Sequence, residues 1–199
     1  VFERRRVMAS VNVMRKVEIS SDAVSVDGVA LPVCGSGEAM LDWIYRTHVG
    51  GYPKYHKMDL LCKLGFIASE LLLAGEDGRF VPRDDRAVIL FNRTGSQCDD
   101  LRYLSTITEG EGYFPSPAVF VYTLPNIVTG EIAIRNKYYG ETSFYLISGP
   151  DTWMMLEVAG QAMDCGGVSS ALTGWVECPG EDKLECMMML AEKTVNFAD

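Results

Sequence analysis

Strand-like and helix-like segments take turns along this chain, and that alternation restricts the fold more than any other feature. "VMASVNVMRKVEISSDAVSVDGVALP" is rich in Val and runs with period two, with Asp27-Gly28 as its turn signal, so it predicts a strand or hairpin. "SGEAMLDWIYRTHV" follows with Ser36 as an N-cap candidate and apolar residues near helical spacing, ending at Gly50-Gly51. "KMDLLCKLGFIASELLLAG" carries Leu60, Leu61, Leu64, Ile67, Ala68, Leu71 and Leu72 as a broad stripe, which predicts an amphipathic helix with Gly75 as its C-cap.

"AVILFN" is a short apolar run of the kind that is covered on both faces, and "GSQCDDLRYLSTIT" after it predicts a helix. "GEGYFPSPAVFVYTLPN" holds too many Pro and Gly residues for a regular element, and Pro125 suits the first position of the helix "NIVTGEIAIRNKYYG". Gly130 and Ala133 leave that helix a small-residue surface for close approach of a neighbour. "TSFYLIS" predicts a strand, "DTWMMLEVAGQAMD" a helix and "VSSALTGWVE" a strand, while "LECMMMLAEKTV" suits a helix or a strand and is read as a final strand. The order implies an α/β fold: residues 1–199 as a single domain, with a mixed, mostly parallel sheet and helices packed on both faces.

Composition narrows the function. A net charge of −9 leaves no basic stripe for a phosphate backbone, and Arg4, Arg5 and Arg6 suit a solvated flank, so nucleic acid is not expected as a partner. No apolar run reaches the length of a membrane span and no secretory signal pattern opens the chain, which implies a cytoplasmic protein. The six cysteines form no CxxC pair and join no His cluster, so no metal or cofactor is expected, and they suit buried, reduced thiols.

"FYLISGPDTWMMLEVAGQAMDCGG" is the segment with the most chemical interest. An apolar strand turns at Ser148, Gly149 and Pro150 into a helix that is apolar on nearly every side, which predicts a buried, central helix. Its N-terminus collects unpaired N–H groups and partial positive charge, the setting in which a nucleophile is activated. Ser148 is the one hydroxyl there, Asp151 suits an N-cap, and the two histidines, His48 and His56, lie in a distant polar loop region. Cys165 sits at the opposite, negative end of the helix, roughly 20 Å away, and suits a structural role beside the helix stop at Gly166.

"KMDLLCKLGFIASE", "FNRTGSQCDD", "SPAVFVYTLPNIVTGEIAIRNKYYGETSF" and "AGQAMDCGGVSSALTGWVE", together covering about Lys57 to Glu177, resemble the N-terminal half of β-ketoacyl-acyl carrier protein synthases, members of the thiolase-like superfamily. The stretch from Ser116 to Phe144 looks most like short bacterial ketoacyl-synthase-like proteins of aryl-polyene or related pathways. The resemblance places Gly149 where the family has its nucleophilic cysteine, and the family's catalytic histidines and lysine belong to a C-terminal half that this sequence does not contain. It therefore implies a non-catalytic subunit, forming a homodimer or heterodimer with a ketoacyl synthase and meeting an acyl carrier protein. Family dimers join through the strand that corresponds to "TSFYLIS". Two alternatives stand beside it: an active 3-oxoacyl synthase or acyltransferase using Ser148 and completed by another chain, and an acyl-chain binding module with a cavity lined by Trp153, Met154 and Met155.

Overall fold

The computed structural model describes residues 11–108, 115–180 and 183–194. Seven strands form one sheet in the order β3-β2-β1-β7-β6-β4-β5. They are β1 (Val11–Ser20), β2 (Val24–Val26), β3 (Val29–Leu31), β4 (Arg86–Asn92), β5 (Thr142–Leu146), β6 (Ser170–Gly180) and β7 (Lys183–Lys193). The helices are α1 (Gly37–Ile44), α2 (Leu60–Leu72), α3 (Gln97–Thr108), α4 (Pro117–Phe120), α5 (Ile127–Asn136) and α6 (Thr152–Cys165). The Arg4–Arg6 flank lies outside the described residues.

The α/β class and the mixed sheet agree with the sequence, but the balance within the sheet does not. Parallel pairing is confined to β4 with β5 and β4 with β6, while β1–β2, β2–β3, β1–β7 and β6–β7 are antiparallel. The reason is local: both ends of the chain make hairpins, and hairpins pair antiparallel. At the β2–β3 turn Asp27 and Gly28 both take positive φ, 53° and 79°, as a two-residue hairpin loop requires.

Two apolar layers hold the sheet. Alternate residues of β4 point to opposite faces, so Val88 and Leu90 enter the larger core with α1, α2 and α5, while Ala87, Ile89 and Phe91 enter a smaller core beneath α6. Every residue of β4 is buried, as its unbroken apolar run predicted.

The helices depart from expectation in instructive ways. The stripe in α2 suggested one wet face, yet every residue from Leu61 to Leu72 is buried. Its two charges survive burial because distant segments supply partners. Lys63 Nζ donates to Glu38 at 2.7 Å and Asp42 at 3.0 Å, and the carboxylate of Glu70 accepts from Arg79 and Arg135. Asp59 caps α2, and Leu73 ends it, with Gly75 two residues beyond the cap at φ +78°.

Ser36 occupies the N-cap position of α1 without a side-chain capping bond, and Gly50 and Gly51, both at positive φ, end the π-helical turn Tyr45–Val49 that continues that helix. The Pro-rich segment expected to be irregular contains α4 and a 3-10 turn at Val121–Thr123, and Pro125 precedes the N-cap Asn126 rather than opening α5. Close helix approach occurs at Gly65, where a Cβ would meet Val128 Cγ2 at 2.4 Å, and not at Gly130, whose Cβ position is open. No single helix among the described residues is long and apolar enough to cross a membrane.

Candidate functional site at the β5–α6 turn

β5 runs parallel to β4 along the edge of the sheet, with Asn92 opposite Leu146, and the Ile147 N–H donates to the Asn92 carbonyl at 2.8 Å. The chain then leaves the sheet, and Ser148, Gly149 and Pro150 form the turn. Asp151 caps α6 as expected, its Oδ1 accepting from the Met154 N–H at 3.1 Å. The unpaired N–H groups and the positive end of the α6 dipole therefore face the turn.

The reactive groups are not assembled there. Ser148 is exposed, and among the described residues no base hydrogen-bonds to it. A Cβ built on Gly149 meets nothing within 4 Å, so the position where the resemblance expects a thiol has room for one but carries none. His48 packs edge-on against Trp43, and His56 edge-on against Tyr45 and Tyr55. Those tyrosines belong to the core on the α2 face, whereas α6 lies on the other face.

Cys165 is the last residue of α6, exposed and distal to the turn, so the expectation of buried thiols holds only for Cys62, Cys178 and Cys186. Burial pushes all three of those thiols up in pKa, which leaves them unreactive.

α6 is not the enclosed helix its composition suggested. Only Met155, Ala159, Gly160 and Met163 are buried, at the helical spacing that faces the sheet. Trp153 is 65% exposed and Met154 40% exposed, so the proposed acyl cavity lined by Trp153, Met154 and Met155 does not form. A different cleft of about 570 Å³ opens beside the turn. Pro150, Thr152, Met187 and Trp175 line it, and the buried Trp175 Nε1 has no hydrogen-bond partner. Trp175 gave no sequence signal, because only the register of β6 beside β7 brings it under the start of α6.

The loop after β4 braces the turn from the other side. Asn92 is fully buried, its Nδ2 donating to the Gly95 carbonyl at 2.8 Å and its Oδ1 accepting from the Gly95 N–H at 3.0 Å. Glu177, 1% exposed, accepts from the N–H groups of Arg93 and Thr94 and from the Thr94 hydroxyl. A Cβ on Gly95 would touch Leu146, which puts this braced loop against the end of β5.

No family model and no curated protein matches the sequence, but the fold is similar to that of solved structures. The ishigamide ketosynthase/chain length factor superposes with a TM-score of 0.65 at 16% identity, over 96% of this chain and 63% of that one. A ketosynthase in complex with its chain length factor from Xenorhabdus doucetiae gives 0.62 at 13%, over 96% and 81%. A β-ketoacyl synthase from Burkholderia phymatum gives 0.60 at 13%, over 94% and 60%.

The chain has the thiolase-like fold of the ketosynthases. It spans less than two thirds of the first of those structures, at 63%. β5, the turn at Ser148–Pro150 and α6 form a strand–turn–helix elbow that carries a glycine between a serine and a proline.

Proposed function

We propose that this chain is a non-catalytic ketosynthase-like subunit that pairs with a ketosynthase and its acyl carrier protein during fatty-acid or aryl-polyene-type chain elongation. The observation that carries the reading is the elbow: Gly149 offers no side chain, Ser148 has no base, and both histidines lie across the sheet. Decarboxylative condensation needs a thiolate to hold the acyl group and donors to stabilise the carbanion or enolate, and among the described residues neither stands at this turn.

A partner is favoured by what the fold leaves open. β5 is an edge strand, with Tyr145 40% and Leu146 61% exposed, and Trp153 extends this apolar surface onto α6. Exposed apolar edges invite pairing unless something covers them. Two of the matched structures are described as a ketosynthase with a chain length factor, and another as a type II polyketide acyl-carrier protein in complex with its ketosynthase, which supports a partner of that class.

The test is co-expression with a ketosynthase and an acyl carrier protein of the class in the matched structures, followed by native mass spectrometry after incubation with acyl-loaded carrier protein. A complex in which the acyl group resides on the ketosynthase is expected. A chain that stays alone overturns the pairing. An acyl adduct on this chain overturns the non-catalytic role and points to Ser148.

A further inference from the structure

On one side of the sheet α6 packs over β4, β6 and β7, and β1, β2 and β3 continue the sheet beside it. The cleft of about 570 Å³ opens between these strands and the start of α6, a volume that suits a small organic ligand. Val17, Ile19 and Val24 belong to the larger core on the opposite face, so strand alternation turns Glu18 and Ser25 toward the side of α6.

Strand register gives the cleft an order. Trp175 of β6 stands opposite Met187 of β7, Met187 opposite Glu18 of β1, Glu18 opposite Ser25 of β2, and Ser25 opposite Ala30 of β3. All five line the cleft. One row therefore runs from an indole past a thioether to a carboxylate, and two strand steps put the Trp175 and Glu18 backbones about 10 Å apart.

The two ends of the row have opposite needs. Trp175 is 2% exposed, and its Nε1 has no hydrogen-bond partner. Among the described residues Glu131 Oε2 and Thr194 Oγ1 are also buried without a partner, but of the three residues Trp175 is the one that lines this cleft. A buried N–H without an acceptor costs free energy that an arriving acceptor recovers. Thr152, in the first turn of α6, lines the same end, and its hydroxyl donates to Met187 Sδ at 3.9 Å, a weak bond readily exchanged for one to oxygen.

At the other end Glu18 meets Lys16 in an exposed ion pair at 3.1 Å, which contributes little. Glu185 also lines the cleft, exposed and without an ion-pair partner among the described residues. The net charge of −9 draws cations toward such a site. Between the ends, the Met187 thioether and Pro150 offer an apolar wall, and a thioether packs well against an aromatic ring.

We propose that this row binds a small aromatic amine that carries a carbonyl group at the far end of its ring. The carbonyl accepts from Trp175 Nε1 and the Thr152 hydroxyl, the ring lies on Met187 and Pro150, and the ammonium pairs with Glu18 and Glu185. A carboxylate in place of the ammonium is repelled by both acids.

NMR of the isotope-labelled intact chain, titrated with para-(aminomethyl)benzamide, tests the site through the indole N–H signals. The chain has three tryptophans, so Trp43→Phe and Trp153→Phe assign the Trp175 signal by elimination. A saturable shift of that signal is expected. Benzylamine, which lacks the carbonyl, is expected to bind about fivefold more weakly. Para-carbamoylbenzoate, with an acid in place of the aminomethyl group, is expected to bind roughly tenfold more weakly or worse. Glu18→Gln and Glu185→Gln combined should weaken binding of the amine by about fivefold and leave the thermal midpoint in place, because both side chains lie at the surface. A Trp175 signal that stays still at millimolar amine, equal binding of the amine and the acid, or unchanged binding in the double variant overturns the proposal. Should that variant not fold, the three probes on the wild type decide alone: the stated order of affinity supports the site, and any other order overturns it.

Discussion

The Thr94 hydroxyl donates to the Glu177 carboxylate, joining the loop after β4 to the far part of β6 across 83 positions of sequence. The same carboxylate takes the Arg93 N–H at 2.8 Å, so one buried side chain satisfies a turn that would otherwise strand its donors. Glu177→Ala is therefore expected to cost about 2–4 kcal/mol in urea unfolding, since it leaves those N–H groups without an acceptor. Combined with Thr94→Val it should show a coupling of about 1 kcal/mol or more, and strict additivity would mean that the bond contributes nothing.

Gly65 and Gly174 are required by close approach rather than by backbone angle. A Cβ at Gly174 would lie 2.0 Å from the Met187 carbonyl oxygen, and at Gly65 it would lie 2.4 Å from Val128 Cγ2. At Gly65 the obstacle is a side chain that can shift, so Gly65→Ala should cost about 1–3 kcal/mol. At Gly174 it is the backbone of β7, and Gly174→Ala should cost about 3 kcal/mol or more and reduce soluble yield. Equal thermal midpoints for wild type and Gly174→Ala would contradict the β6–β7 packing.

The parts of this fold that are written locally were legible. Period-two runs located β1, the unbroken run of β4 marked a strand covered on both faces, and Asp151 read correctly as a cap. What failed were properties set by distant neighbours. Lys63 and Glu70 look like a wet face until Asp42, Arg79 and Arg135 arrive to pair with them. Trp153 and Met154 look like core until the fold leaves no element over them. Asp99 looks like an ordinary acidic first turn, and its burial depends on where α3 lands. At the elbow the absence of a thiol was visible in the sequence, while the distance of both histidines from it needed the sheet to be seen between them.

Acid should expose a different carboxyl. Hydrogen bonds from Arg83 first, and then Ser169, hold Asp85 down at about 2. A depressed pKa stabilises the fold above the ordinary carboxyl range and loses that contribution as pH falls from about 4 toward 2. Asp85→Asn lacks this titration, so the stability gap between wild type and variant should narrow from pH 4.5 to 2.5 in denaturant titrations. A constant gap would show that the Arg83 and Ser169 bonds do not favour the charged form.

The last prediction places a thiol at the elbow. Gly149 has open space at its Cβ and a backbone that an L-residue can adopt, so Gly149→Cys should change stability by no more than about 0.5 kcal/mol. The new thiol would sit before the N-terminus of α6, where unpaired N–H groups and the helix dipole favour a thiolate. In a Cys165→Ser background, its alkylation by iodoacetamide at pH 7 should outpace that of the exposed Cys34 measured in the same chain. The variant should nonetheless catalyse no condensation alone, because neither histidine reaches the elbow. Fast alkylation without turnover would separate two requirements: the turn activates a nucleophile, and no second catalytic group among the described residues reaches it. A thiol no faster than Cys34 would mean that the α6 terminus does not activate a nucleophile at this turn.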